Sequence, residues 1–295
     1  MPAPRASACA ASFNRVHALP FLLALASAAL LAPAVLRALR LGGHTAPNYR
    51  GRELPCPLGV LALAAALLAL IPLVLLARLA STDVFHPEEA PVIVYALGIL
   101  ALGLLDDTLG RGAAGREGPR GWRGHGAAAL RGELSTGALK AVGSLGLALL
   151  AMSWLGLSNG RWLLAVGVLV LATNAFNLLD LRPGRASKAF VLLGAGLTAG
   201  SAELRPLWAL GLFAAPALVA GVYDLRERAM LGDTGANLLG ALAGLWLVLT
   251  LSGAGQLIAL ALLAALTLYG ELRSISALID RTPLLRHLDS LGRPS

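Results

Sequence analysis

Apolar residues along this chain come in long unbroken runs, not in the two-residue alternation of strands or the one-sided spacing of surface helices. Nine runs stand out, at about 18–41, 57–79, 90–105, 137–157, 161–179, 187–202, 206–222, 235–251 and 256–272. At 1.5 Å per residue, most can cross a hydrocarbon core of about 30 Å as a helix. The third and sixth, about 16 residues each, are short for a crossing. They either draw polar ends into the interface or pack inside the bundle. The first run contains ALASAAL, as a signal peptide does, but it is too long for one and ends on Arg37 and Arg40, so a retained anchor is expected. There is no repeat at a solenoid period. The pattern predicts an all-α, polytopic integral membrane helical bundle of about nine transmembrane helices. It forms one domain over 1–295, with a poorly ordered N-terminal tail at 1–17 and a polar tail at 281–295.

Composition sharpens this. With 57% hydrophobic and 14% charged residues and a mean hydropathy of +0.74, an ordinary soluble globule is excluded. The net charge of +8 raises the question of nucleic acid, but 5% aromatics provide no stacking platform, and no nucleic-acid partner is expected. The lipid bilayer is the expected environment. Cys9 and Cys56 form no CxxC pair and no zinc spacing, so they read as small apolar fillers.

The basic residues sort by loop. With the loops numbered alternately, Arg5, Arg15, Arg78, Arg161 and Arg205 fall in one set and the other 19 of the 24 Lys and Arg in the second. Basic residues stay cytoplasmic, so the amino terminus is expected outside and the carboxyl terminus in the cytoplasm, in the cytoplasmic (inner) membrane. The two cysteines then lie on opposite faces and cannot pair.

The acidic residues divide the same way. Asp83, Glu88, Glu89 and Glu203 fall on outside loops and read as solvated. On the cytoplasmic side, GLLDDTLG puts Asp106 and Asp107 directly after the third run, NAFNLLD puts Asn174, Asn177 and Asp180 at the end of the fifth, and MLGDTGAN puts Asp233 at the start of the eighth with Asn237 one turn later. Each has a bland alternative: Asp233 suits an N-cap, and paired aspartates at a helix end are often solvated. Two adjacent carboxylates at a helix C-terminus nevertheless repel each other and the macrodipole unless a cation is near. Asn174 and Asn177 share one face of an otherwise apolar helix, where polar residues default to function. Three such ends at one membrane face favour a divalent-cation site, and oxygen ligands without Cys or clustered His favour Mg²⁺ or Mn²⁺ over zinc. Arginines beside them, in NYRGRE, 111–131, LRPGRASK, DLRER and RTPLLRH, point to a phosphorylated substrate.

GLLDDTLG, NAFNLLD and MLGDTGAN resemble the three signature stretches of the polyprenyl-phosphate N-acetylhexosamine-1-phosphate transferases, the superfamily of the bacterial lipid I synthase. APNYRGRELPCPLG resembles the family's first cytoplasmic loop, and STGALK, with Lys140, its basic residue opening the fourth helix. The resemblance runs from about residue 45 to the end, in order. It implies transfer of a sugar 1-phosphate from a UDP-sugar donor to a polyprenyl phosphate acceptor, with release of UMP, for cell-envelope polysaccharide synthesis. By position, Asn177 and Asp233 would hold Mg²⁺. Asp106 and Asp107 would face the acceptor phosphate, and Lys140 would offset its charge. Arg50, Asn174, Asp180, Asn237 and His287 are further expected substrate contacts, and a homodimer is left open.

The chain departs from the family twice. NLLDLRPGRA stands where the bacterial pattern reads NLxDGLDGLA, and PLLRHLD keeps only His287 of PxHHHFE, with no tenth helix expected beyond it. The altered loop, with Arg182, Arg185 and Lys188 around Pro183, is expected to grip the donor by its anionic groups and to be loose toward the base. The other readings are an inactive relative that binds prenyl phosphate in a regulatory role, and an unrelated membrane transporter. Acidic residues gathered at one interface argue against the transporter, whose sites lie near the midplane.

Overall fold

The computed structural model describes residues 17–85, 87–109 and 136–294, so the N-terminal tail through residue 16, the basic loop 111–131 and Ser135 lie outside the described residues. Helices are α1 (Leu19–Leu41), α2 (Val60–Leu79), α3 (Glu89–Leu109), α4 (Thr136–Ser153), α5 (Asn159–Leu179), α6 (Arg185–Ser201), α7 (Arg205–Ala209), α8 (Gly211–Leu225), α9 (Gly232–Thr250), α10 (Gly253–Leu272), α11 (Ile275–Arg281) and α12 (Pro283–Ser290). Seven of them, α1–α5, α9 and α10, are long and apolar enough to cross a membrane. The chain is an all-α polytopic membrane protein. The sixth run forms the 17-residue α6, and the seventh breaks at Leu210 into α7 and the 15-residue α8.

In lipid, helices associate through close packing of small side chains, because the tails are as apolar as leucine. That logic is visible in α1, where Ala24, Ala28 and Ala32 form a fully buried stripe while Leu22 and Leu30 face outward. Helix α2 does the same with Ala62, Ala65 and Ala69 inside and Ile71, Val74 and Leu75 outside. Helices α1, α2 and α8 pack as one group. The buried α9 packs on α5, α3 and α6, with α4 and α10 outside α3 and α5. Within the membrane Tyr95 of α3 and Thr173 of α5 share a hydrogen bond of 3.0 Å, which satisfies both hydroxyls.

The carboxyl end of α3 meets the amino end of α9 because Gly103 is there. A Cβ at 103 would lie 2.7 Å from the Asp233 carbonyl oxygen and from Thr234 Cα. The only sheet among the described residues is a small antiparallel hairpin, β1 (Thr45–Pro47) with β2 (Glu53–Pro55), which the run pattern did not predict. Asn48 holds its turn, with Oδ1 accepting the backbone N–H groups of Arg50 and Arg52 at 2.9 Å each. The hairpin is tied to the segment before α9, where Leu58 and Gly59 N–H donate to the Met230 and Leu231 carbonyls.

Two boundaries differ from expectation. Helix α3 continues through Leu109, so Asp106 and Asp107 occupy its last turn instead of following it. LLDDTL contains no Gly or Pro to stop the helix earlier. Glu89 is 3% exposed rather than solvated, in the first turn of α3 where the macrodipole favours an acid.

Candidate functional site

Four helix ends converge on one cluster. The last turn of α3 carries Asp106 and Asp107, Lys140 lies one turn into α4, the first turn of α9 carries Asp233, and the last turn of α5 carries Asn177, with Asp180 as its C-cap. Lys140 Nζ donates to Asp106 Oδ2 and to Asp233 Oδ2, each at 2.8 Å. The Asn177 amide completes the ring when oriented to satisfy both ends: its nitrogen then donates to Asp233 Oδ1 at 3.0 Å and its oxygen accepts from Lys140 Nζ at 3.2 Å. The side chains of Lys140, Asp106 and Asp233 stay 19%, 16% and 34% exposed, so the cluster is open to a ligand.

Asp107 has a different task. Its Oδ2 accepts from the Thr234 N–H (2.8 Å) and hydroxyl (2.7 Å), and Oδ1 from the Asp233 N–H (3.1 Å). These are unsatisfied donors of the first turn of α9, so Asp107 caps that helix from another one. Gly232, at φ +69°, makes the approach possible, since a Cβ there would sit 2.8 Å from Asp107 Oδ2. With the cap supplied from outside, the Asp233 side chain is released from capping.

Asp180, at the C-cap of α5, stands near the Asp224, Asp233 and Asp107 carboxylates. Desolvation first, and then those three charges, push its carboxyl well above the usual range, with Arg185 pulling the other way. Asp224 is itself occupied, accepting the Gly184 N–H at 2.6 Å. Asn237 is buried one turn beyond Asp233, and its Nδ2 has no partner among the described residues. Asn174 turns away from the cluster, donating to Thr267 Oγ1 of α10 at 3.3 Å.

These residues fit a hard divalent cation. The carboxylates of Asp106, Asp233 and Asp180 and the Asn177 amide oxygen are all oxygen donors, and the ammonium of Lys140 already fills a cation's place between two of them. Among the described residues no three acidic, His or Cys side chains form a ready-made metal cage. An ion here would draw its remaining ligands from amide oxygen, water or phosphate, as Mg²⁺ commonly does.

The altered loop is engaged by the tail. Arg185, 5% exposed, forks onto Asp289 of α12 through Nε (2.9 Å) and Nη2 (3.0 Å), and Arg293 grips the same carboxylate from the other side. Burial pushes the Asp289 carboxyl up, but Arg185 and Arg293 outweigh it and hold the group down at about 2. Lys188 Nζ donates to the Leu288, Asp289 and Leu291 carbonyls, closing the end of α12. Arg182 pairs with Asp280 at 2.9 Å through both nitrogens and lies 5.9 Å from the Tyr49 ring. Arg50 donates to Tyr49 Oη and to the Pro294 carbonyl, and His287 is exposed on α12. The site residues therefore form two groups, the Lys140 cluster and the loop–tail contact.

Glu227 is the important residue that the sequence reading passed over. Its side chain is fully buried and accepts from Asn48 Nδ2 (3.3 Å), Tyr49 Oη (3.2 Å) and Arg52 Nη1 (3.5 Å), fastening the hairpin to the α8–α9 connection. An acid inside the basic stretch DLRER was the available signal. No protein-family model and no curated protein matches this chain.

Proposed function

We propose that the protein transfers a sugar 1-phosphate from a UDP-sugar to a polyprenyl phosphate at the cytoplasmic face of the inner membrane. The observation that carries this reading is Lys140 joined at 2.8 Å to both Asp106 and Asp233, with Asn177 on the same ring. An ammonium, several carboxylates and an amide at one helix-end junction can neutralise and align two phosphates, and alignment with neutralisation dominates phosphoryl transfer. Asp233 and Asn177 would hold Mg²⁺, which supplies charge neutralisation on the donor diphosphate. Lys140 would release one carboxylate to meet the acceptor phosphate and hold it in line. That phosphate, with a second pKa of roughly 6, is largely deprotonated at neutral pH, so Asp106 serves to position Lys140 and need not remove a proton. One phosphorus–oxygen bond forms to the acceptor oxygen and one breaks to UMP.

In this reading all nine runs cross the membrane, with the amino terminus outside and the carboxyl terminus inside. A reporter at Ser295 should then be cytoplasmic and one at Ser158 external; the same sidedness for both would reject it. The chemistry is tested with purified protein, Mg²⁺, undecaprenyl phosphate and radiolabelled UDP-sugars. Label in the lipid fraction with stoichiometric UMP is expected, and Asp233→Asn should abolish it in a folded protein. A second reading, an inactive relative that binds prenyl phosphate, is favoured by the tail's hold on Arg182, Arg185 and Lys188. Acceptor binding without release of a nucleoside monophosphate from any nucleotide sugar would select it.

A further inference from the structure

A second basic cavity lies apart from the Lys140 cluster, between α1 and the end of α8. It is an open cleft of about 520 Å³, lined by Pro33, Leu36, Arg37, Arg40, Tyr223 and Arg228. Arg37 and Arg40 are three residues apart and share a face in the last turns of α1. Arg228 comes from the far side of the sequence, immediately after α8.

The backbone there is built to deliver Arg228. Helix α8 ends with the Glu227 N–H bonded to the Asp224 carbonyl and the Arg228 N–H to the Tyr223 carbonyl, both at 2.9 Å. This pair of bonds is a Schellman closure, whose turning residue normally is glycine. Here that residue is Glu227, at φ +50°. A bulky residue in the left-handed region is strained and persists only where the surroundings hold it. The surroundings are Asn48, Tyr49 and Arg52 on the Glu227 carboxylate. The turn folds the chain back so that Arg228 lines the same cleft as Tyr223 and the arginines of α1.

Among the described residues no carboxylate pairs with Arg37, Arg40 or Arg228. Positive-inside bias explains basic residues on this side, but not three guanidiniums from two elements lining one cavity with a tyrosine. Pro33 and Leu36 give the cavity an apolar side, and the outer surface of α1 carries exposed leucines toward the lipid. Basic pockets between transmembrane helices at this level suit phosphate headgroups.

We propose that Arg37, Arg40, Arg228 and Tyr223 form a binding site for the phosphate headgroup of an anionic membrane phospholipid, separate from the site of the proposed reaction. The arginines grip the phosphate oxygens, the Tyr223 hydroxyl donates to one of them, and the acyl chains run down the outer face of α1.

The test uses the full chain in nanodiscs of phosphatidylcholine doped with phosphatidylglycerol, with the lipids retained after mild extraction counted by native mass spectrometry. Selective retention of phosphatidylglycerol is expected. Arg40→Gln and Arg228→Gln should each lower the selectivity about five-fold, while Arg273→Gln, at an exposed basic residue outside the cavity, leaves it unchanged. Tyr223→Phe alters no charge and no orientation signal and should also lower it, and monodisperse elution certifies each variant as folded. Retention unaltered in all three cavity variants overturns the proposal. An equal loss in Arg273→Gln overturns it too, by assigning binding to diffuse surface charge. Displacement of the lipid by inorganic phosphate would assign the cavity to a free anion and reject the lipid.

Discussion

Asp107 caps a helix to which it does not belong, its Oδ2 accepting both the backbone N–H and the hydroxyl of Thr234 across 127 residues of sequence. The pair fixes where α9 begins and hence where Asp233 points. Loss of a capping side chain costs about 0.5–2 kcal/mol. Asp107→Ala should lower the thermal midpoint in detergent, and Asp107→Asn, which keeps one acceptor oxygen, should lower it less. If Asp107 acts only as a cap, Asp107→Asn keeps most of any transferase turnover. A dead but fully stable Asp107→Asn would give this carboxylate a direct part in the chemistry.

Lys140 separates two carboxylates that would otherwise face each other. Removing one member of a fully buried ion pair costs about 3–5 kcal/mol, because the partners lose their compensation, and the partial exposure of this cluster discounts that figure. Lys140→Met should therefore be markedly less stable than the wild type. If the oxygens of Asp106, Asp233 and Asn177 can hold a divalent cation, Mg²⁺ should restore much of that loss and raise the midpoint of Lys140→Met more than that of the parent. Midpoints that ignore Mg²⁺ in both proteins would count against a cation site here.

The runs and the cluster were legible for one reason: polar residues at the ends of apolar helices have few places to go. Asp106, Asn177 and Asp233 stand out against the leucines and alanines around them, and Lys140 opens the next run, so their convergence could be read one helix end at a time. What could not be read was the assignment of roles within the cluster. In sequence Asp233 suits a cap or a ligand, while Asp107 reads as a solvated or acceptor-facing carboxylate; the approach of α3 to α9 at Gly103 makes Asp107 the cap. The tail was opaque for the same reason. Asp289 lies 104 residues from Arg185, and nothing local to either residue announces the other. Arginines expected to be open to a donor are found holding α12.

That hold should fail in acid. The Asp289 carboxyl is held down at about 2 by Arg185 and Arg293, against an unfolded value of about 3.9. A depressed carboxyl contributes stability above the unfolded value and loses it as pH falls through the folded one. Docking of α12 is thus expected to be intact above about pH 4 and to weaken progressively from there toward pH 2. Asp289→Asn should mimic that release at neutral pH. Proteolysis between Arg281 and Ser290, or hydrogen exchange over the same residues, reads both, and protection unchanged in Asp289→Asn would show that Lys188 and the apolar contacts suffice.

Arg182 and Arg185 are three residues apart yet should give opposite phenotypes. Arg185 is 5% exposed and its partner Asp289 is buried with it, so Arg185→Ala uncouples a buried pair and leaves α12 to Arg293, Lys188 and the longer Arg182–Asp289 contact at 3.9 Å. The expected result is a lower thermal midpoint, with the donor KM close to that of the parent. Arg182 keeps 29% of its side chain exposed and its partner Asp280 keeps 44%. An exposed pair of that kind contributes little to stability, and its guanidinium can pass to a phosphate oxygen at small cost. Arg182→Ala should leave the unfolding free energy within about 1 kcal/mol of the parent's. If the loop binds the donor, it should also raise the donor KM about ten-fold, the effect of losing one charge-assisted hydrogen bond. Arg182→Lys keeps the charge but not the fork and should fall between. Donor titrations and melting curves on the three variants separate the roles. A KM that rises equally in Arg182→Ala and Arg185→Ala would place both on the donor, and a flat KM in Arg182→Ala would leave the loop as a strut for the tail alone.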